Sequence, residues 1–292
     1  MWGNLCVWSP LRTRWSGEMP ELPEVETICR SLAPHISGRV LAGVEILAAK
    51  LRRPLPTAAE LCAVTGRRIT ALERRAKYLI WHFDGGGALI LHLGMSGRLC
   101  YHHGPHPAES HTHAIFHFQE GGQLHFRDPR RFGSLDLAAP GQLAGLSILR
   151  GLGVEPLSPA FDAAYLCERL GATRRAVKTV IMDQGIVVGV GNIYANEALF
   201  QAGIHPLRPG RSLSPAEGKS LQEAIVSVLG KAVERGGTTL NDYRDADGEP
   251  GFFQLDLAVY GREEEPCPRC GGKIVRLRHE GRSSFLCEAC QK

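Results

Sequence analysis

Four of the cysteines fall as Cys267-Pro-Arg-Cys270 and, after residues 271–286, as Cys287-Glu-Ala-Cys290, and this doubled spacing restricts the C-terminal end of the chain more than any other feature does. Each Cys-x-x-Cys turn offers two thiolates to one tetrahedral ion. The four together make a closed structural zinc site, with no ligand position left for catalysis. The alternating stretch between the turns, Lys273 to Phe285, has the length of a β-hairpin. A unit of about thirty residues buries too little apolar surface to fold alone, so the metal stands in for a core, and Arg276, Arg278 and Arg282 are expected to face outward. A redox dithiol is the alternative for a single Cys-x-x-Cys; the doubling argues against it.

The other cysteines, Cys6, Cys29, Cys62, Cys100 and Cys167, show no pairing logic and read as reduced, mostly structural thiols. With 292 residues and 43% hydrophobic content, the chain can bury a proper core and form two or three compact units. No run approaches the roughly 20 apolar residues of a membrane span, and residues 1–18 lack the apolar core of a secretory signal, so the expected address is the cytoplasm. The net charge of +4 decides little. Clustering says more: Arg67-Arg68, Arg74-Arg75-x-Lys77, Arg130-Arg131 and Arg174-Arg175 lie in otherwise apolar segments, as expected for a chain that meets a polyanion.

Behind Pro23, residues 24 to 35 carry helical spacing. From about 38 to 137 the pattern is short and alternating, as in Gly38 to Leu41, Tyr78 to Phe83, Ala88 to Leu93, Ala114 to Phe118 and Gln123 to Phe126. Glycine-rich turns at 84–87 and 120–122 separate these runs, which predicts a β-sandwich. Helical spacing follows at Asp162 to Leu170, Arg174 to Met182, Ile193 to Gln201 and Pro215 to Glu234. The expected fold class is α+β, with a β-sandwich over 19–150, a helical unit over 151–261 and a zinc hairpin over 262–292. Residues 1–18 stand apart and are expected to be a non-native or disordered extension.

Several short segments carry two meanings each. In the run from Val188 to Ala195, Asn192 reads as an N-cap, while Gly189 and Gly191 beside a helix N-terminus suit a phosphate. Met95 in His92-Leu93-Gly94-Met95-Ser96-Gly97 is ordinarily core filler, and Asp128 in Asp128-Pro129-Arg130-Arg131-Phe132-Gly133 is ordinarily an arginine partner. His102 to Pro107 reads as an exposed loop without fixed ligand geometry. Lys77 is expected on a strand, and it is the one lysine between Lys50 and Lys178 in a chain that otherwise prefers arginine. Phosphate attraction is served by either cation, but an ammonium can lose its proton, so this lysine suits acid–base work as well as ordinary surface charge.

Taken in order, Pro20-Glu21-Leu22-Pro23-Glu24-Val25-Glu26-Thr27, the glycine motif at 92–97, the Asp128 to Gly133 turn, the Val188 to Ala195 run and the four cysteines resemble the formamidopyrimidine-DNA glycosylase family, from Met19 to Lys292. The sister endonuclease VIII family is similar in architecture but opens differently after its proline. The resemblance therefore implies oxidised purines (8-oxoguanine and formamidopyrimidines) in duplex DNA as substrates, excised and followed by β,δ-elimination at the abasic site.

It further implies Pro20 as the nucleophile once the methionine before it is removed, Glu21 at the opening sugar-ring oxygen, and Lys77 at a phosphate and in base departure. Met95, Arg130 and Phe132 would fill the gap left by the extruded base. Asn192, in a helix-two-turn-helix element, and Arg282 on the zinc hairpin would grip phosphates. A loop around Asp242 to Phe253 resembles a lid over the flipped base. One structural Zn2+, a monomer and a bacterial, nucleoid-associated setting complete the expectation. Pro20 must be N-terminal for this chemistry. Three of the four tryptophans crowd into residues 1–18 without periodicity, and translation is expected to begin at Met19. If the extension stays on, the alternative is a DNA-damage binder without catalysis.

Overall fold

Glu21 and Glu24 start the first helix by a reciprocal capping box, with proline in the first turn, and α1 runs over Leu22–Ile36 in the computed structural model. The structure describes residues 19–48, 50–237 and 257–292. The expected lid around Asp242 to Phe253 lies outside them. Among the described residues no helix is long and apolar enough to cross a membrane.

Two antiparallel four-stranded sheets follow. One is built from β1 (Leu41–Ile46), β6 (Thr112–Phe118), β7 (Gln123–Arg127) and β5 (Arg98–His102), in the order β1-β6-β7-β5. The other takes β2 (Ile69–Arg75), β3 (Tyr78–Phe83), β4 (Ala88–His92) and β8 (Ser134–Ala138), in the order β2-β3-β4-β8. A short α2 (Ala58–Leu61) precedes the second. Trp81, Phe116 and Phe126 are fully buried in the core these sheets share with α1, so the expected sandwich is present, with β5 and β8 added. The first strand begins at Leu41, where the expected run ends, and β1 carries a bulge between Leu41 and Gly43.

Lys77 is not on a strand. It and Ala76 form the turn between β2 and β3. The expected histidine loop is also more ordered than its composition suggests. His102 ends β5 and stacks on His106 with ring centroids 3.9 Å apart, while His125 beneath them is 1% exposed.

The helical part holds α3 (Ala163–Gly171), α4 (Val177–Ile181), α5 (Asn192–Ala202) and α6 (Pro215–Glu234). The helix expected from Arg174 to Met182 is thus reduced to its middle. Gly203, at φ 72°, closes α5 in the left-handed conformation. Two strands, β9 (Val275–His279) and β10 (Arg282–Leu286), make the C-terminal hairpin. Its core is not the metal alone. Phe285 and Ile274 are buried in the same cluster as Tyr260 and Phe200, which for a side chain like Phe285 amounts to about 1.5–3 kcal/mol. The Phe285 N–H also donates to Asn196 Oδ1 at 2.8 Å.

Candidate active site and nucleic-acid interface

The amides at the N-terminus of α5 point at a side chain from the opposite end of the sequence. Gly191 N–H donates to Glu21 Oε2 at 2.7 Å and Ile193 N–H to Oε1 at 2.8 Å, with Tyr194 N–H at 3.4 Å from Oε2. The anion received at this helix N-terminus is therefore the Glu21 carboxylate, 1% exposed, and not an incoming phosphate as the glycine pattern suggested. Glycine is needed for the contact: a Cβ on Gly191 would lie 2.3 Å from Glu21 Cδ, and one on Gly189 2.5 Å from Leu22 Cβ. Asn192, expected as the N-cap, is the first helical residue, and Gly191 caps instead.

Behind Glu21, Glu24 accepts the Tyr194 hydroxyl at 2.5 Å and the Glu21 N–H at 2.8 Å. Gln184 steadies the glycine turn, accepting from Gly189 N–H at 2.8 Å and donating to Val190 O at 3.0 Å.

These contacts wall a cleft of about 280 Å³ between the sandwich and the helices, lined by Met19, Glu21, Lys77, Asn192 and Arg282 among others. Pro20, half-buried, lies between two of its lining residues. Of the expected site residues, the cleft thus gathers Glu21, Lys77, Asn192 and Arg282 around the Pro20 segment. Arg276, Arg278 and Arg282 are exposed on the hairpin.

Arg52, Tyr78, His92 and Gln184 also line the cleft, and their roles were not anticipated from the sequence. Burial, reinforced by the charges of Lys77, Arg52 and Arg53, pushes the His92 imidazole down to about 4. It is neutral at physiological pH. Its Nδ1 accepts the Gly94 N–H at 3.0 Å, which leaves the proton on Nε2. His92 opens the 92–97 glycine motif, and Arg52 belongs to the doublet Arg52-Arg53; only their three-dimensional surroundings mark them out.

Met95, Arg130 and Phe132 sit on two loops locked together outside that cleft lining. Asp128, fully buried, accepts the Ser96 hydroxyl at 2.5 Å and the Gly133 N–H at 2.7 Å, and Ser96 Oγ accepts the Arg130 N–H at 3.0 Å. Asp128 therefore joins the loops rather than pairing with an arginine. Gly94 packs so closely that a Cβ would lie 2.4 Å from Phe132 C. Phe132 is 43% exposed, with the Arg130 guanidinium 5.2 Å from its ring centre, and Met95 is half-exposed. Large apolar side chains held in the open by rigid loops are what a base-stack wedge requires.

The four cysteine sulfurs lie within 4.8 Å of one another, with Cys267–Cys290 at 3.9 Å and Cys270–Cys287 at 3.5 Å. A tetrahedron with Zn–S bonds of about 2.3 Å has S···S edges of about 3.8 Å. The cluster fits one structural zinc, all of whose positions the thiolates fill.

Comparison with known proteins places this architecture, with its four-cysteine hairpin, among the DNA-repair glycosylases. The N-terminal domain model of formamidopyrimidine-DNA glycosylase matches residues 19–135, its helix-two-turn-helix domain model 152–244, and the zinc finger found in these enzymes and isoleucyl-tRNA synthetase 264–292. A formamidopyrimidine-DNA glycosylase of Stenotrophomonas maltophilia is 48% identical over 94% of this chain and 100% of its own length, and that of Ruegeria pomeroyi is 45% identical over the same shares. Among solved structures, the Fpg protein of Thermus thermophilus superposes with a TM-score of 0.82 at 42% identity, covering 93% of this chain and 98% of its own. A point mutant of the Lactococcus lactis enzyme, in complex with DNA containing Fapy-dG, gives 0.87 at 33% identity over 94% and 100%. This chain belongs to the formamidopyrimidine-DNA glycosylase family.

Proposed function

We propose that this protein excises oxidised purines, 8-oxoguanine and formamidopyrimidines, from duplex DNA and then cleaves the strand at the abasic site, with Pro20 as nucleophile. The observation that carries this reading is the convergence of Glu21, Lys77, Asn192 and Arg282 on one cleft beside Pro20. Support also comes from the L. lactis relative, whose structures hold DNA with Fapy-dG or with an abasic site.

A free α-amine has a pKa of about 7.7–8.0 against about 10.4 for a lysine side chain, so much more of it carries a lone pair at neutral pH. The Pro20 nitrogen bonds to C1′ of the extruded nucleotide and gives up its proton, and the N-glycosidic bond breaks, its electron pair leaving with the base, which takes up a proton. Opening of the C1′–O4′ bond delivers a proton from or through Glu21 to O4′ and leaves an iminium at C1′. The iminium withdraws electrons from C2′, whose proton is lost as the C3′–O bond breaks; a second elimination releases the 5′ oxygen. Lys77 neutralises a neighbouring phosphate and assists base departure, while Asn192 and Arg282 hold the backbone. Met95, Arg130 and Phe132 fill the vacated stack and meet the orphaned base.

The chemistry requires a Pro20 nitrogen free of any acyl group, so the acting form begins at Pro20. Where Met19 stays attached, that nitrogen is an amide and the protein binds damaged DNA without cleaving it. Protein beginning at Pro20, assayed on a panel of lesion duplexes, is expected to cut those with 8-oxoguanine and formamidopyrimidines faster than those with oxidised pyrimidines. Failure to cut any of them would defeat the reading.

A further inference from the structure

The turn that carries Lys77 is held in a disfavoured shape by a carboxylate from outside its sheet. Ala76, buried, sits at φ 54°, in the left-handed region that an L side chain rarely adopts. Its N–H donates to Glu155 Oε1 at 2.7 Å, an oxygen that also accepts Arg75 Nη1 at 2.8 Å. Glu155 Oε2 accepts Arg74 Nη1 at 2.7 Å, and the same Nη1 donates to Ala76 O at 3.1 Å. One carboxylate therefore engages three successive residues, 74 to 76, immediately before Lys77. The frame behind it is rigid: Arg74 Nε reaches Glu26 of α1 at 2.7 Å, and Arg75 Nη2 donates to Gly153 O at 2.5 Å. Arg74 and Arg75, expected among the basic clusters that meet a polyanion, are thus committed to protein carboxylates.

We propose that Glu155 is a positioning residue for Lys77: by holding Ala76 in the left-handed conformation it fixes where the lysine ammonium stands in the cleft. Glu155 acts through the turn and touches neither DNA nor a reacting atom. Without its acceptor, the Ala76 amide has no reason to stay in a strained conformation, and relaxation of that residue swings the next side chain out of place. The inference rests on the role proposed for Lys77 in base departure, and it adds a residue from the segment that leads into the helices.

A role in stability alone would depress every activity together, whereas mispositioned Lys77 impairs base departure far more than it impairs reaction at the abasic site, where no base remains and only the phosphate contact is lost. The test is single-turnover excision of 8-oxoguanine, scission and borohydride trapping on a preformed abasic duplex, and thermal unfolding, for Glu155→Ala, which removes the acceptor, and for the charge-preserving Glu155→Asp. A displacement of about 1 Å is expected to slow excision by ~100-fold, with scission and trapping affected far less. In a Lys77→Ala background the Glu155 changes should add nothing further. In the Glu155→Ala background, Ala76→Gly, which adopts positive φ freely, should recover part of the lost rate. Equal losses in excision and scission, full additivity with Lys77→Ala, or no rescue by glycine would overturn the proposal. If Lys77→Ala slows excision and neither Glu155 variant does, the positioning role alone falls; if Lys77→Ala excises at the parent rate, the reading of Lys77 falls and this inference with it.

Discussion

The Glu21 carboxylate accepts the amide of Gly191, 170 residues away in sequence, at 2.7 Å, and thereby ties the residue after Pro20 to the first turn of α5. Gly191→Ala tests that tie without removing any atom assigned to the chemistry. Its Cβ would overlap Glu21 Cδ, so the carboxylate must leave the helix N-terminus. Excision is expected to fall by about 100-fold, the scale set by a misplaced catalytic group. Single-turnover kinetics would measure it; parent-like rates would show that Glu21 need not sit there.

Glu21→Gln keeps the shape and removes the charge. Loss of a general acid or of its hydrogen bond to the opening sugar typically costs roughly 10²–10⁴-fold. Excision should drop on that scale while affinity for a lesion duplex, followed by fluorescence anisotropy, holds.

The two loops that carry Met95, Arg130 and Phe132 depend on Asp128. Asp128→Ala strands the buried Gly133 amide, at about 1–3 kcal/mol, and takes the acceptor from the half-buried Ser96 hydroxyl. Denaturant unfolding should register that loss. Arg130→Ala, exposed, should leave stability alone and weaken discrimination of the base opposite the lesion. Unchanged opposite-base preference would contradict a wedge that reads the orphan.

Zinc removal should release the hairpin's Cys-x-x-Cys turns but not all of its packing, because Phe285 and Ile274 belong to the helical core. Cys287→Ser is expected to lower DNA affinity at least about tenfold, as Arg282 loses its fixed place, and to make affinity fall less steeply with salt. Unaltered affinity would mean that the hairpin does not grip DNA.

Acid sensitivity follows from two buried histidines. Burial pushes both His92 and His125 from 6.5 down to about 4, with neighbouring groups adding to it: Lys77, Arg52 and Arg53 for His92, and His102 and His106 for His125. Below pH 6.5 the unfolded chain binds protons that the folded one does not. The stability these groups contribute is therefore present above pH 6.5 and lost as pH falls through about 4. Urea midpoints should decline across that window, and less so for His125→Asn; a flat profile would show that the two imidazoles are not held neutral.

Local spacing made much of this molecule legible in its sequence. The cysteine pairs, the α1 start at Pro23 and the glycine-bounded runs of the sandwich each declare themselves within a few residues. Partners that come from far away do not. Arg98–His102 shows no clean alternation, and its pairing with Gln123–Arg127 makes it a strand. Arg74 and Arg75 read as a basic cluster for a polyanion because nothing adjacent reveals Glu26 or Glu155. The Val188 to Asn192 run announced an anion site, and the anion proved to be Glu21, since the same geometry serves a side-chain carboxylate and a phosphate equally well.

Borohydride reduction in the presence of an 8-oxoguanine duplex tests the nucleophile itself. Protein beginning at Pro20 should be captured as a single covalent adduct whose peptide map ends on Pro20, and the same protein with its amine acetylated should give none. An adduct on a lysine, an adduct formed by the acetylated protein, or no adduct from the free amine would contradict the mechanism.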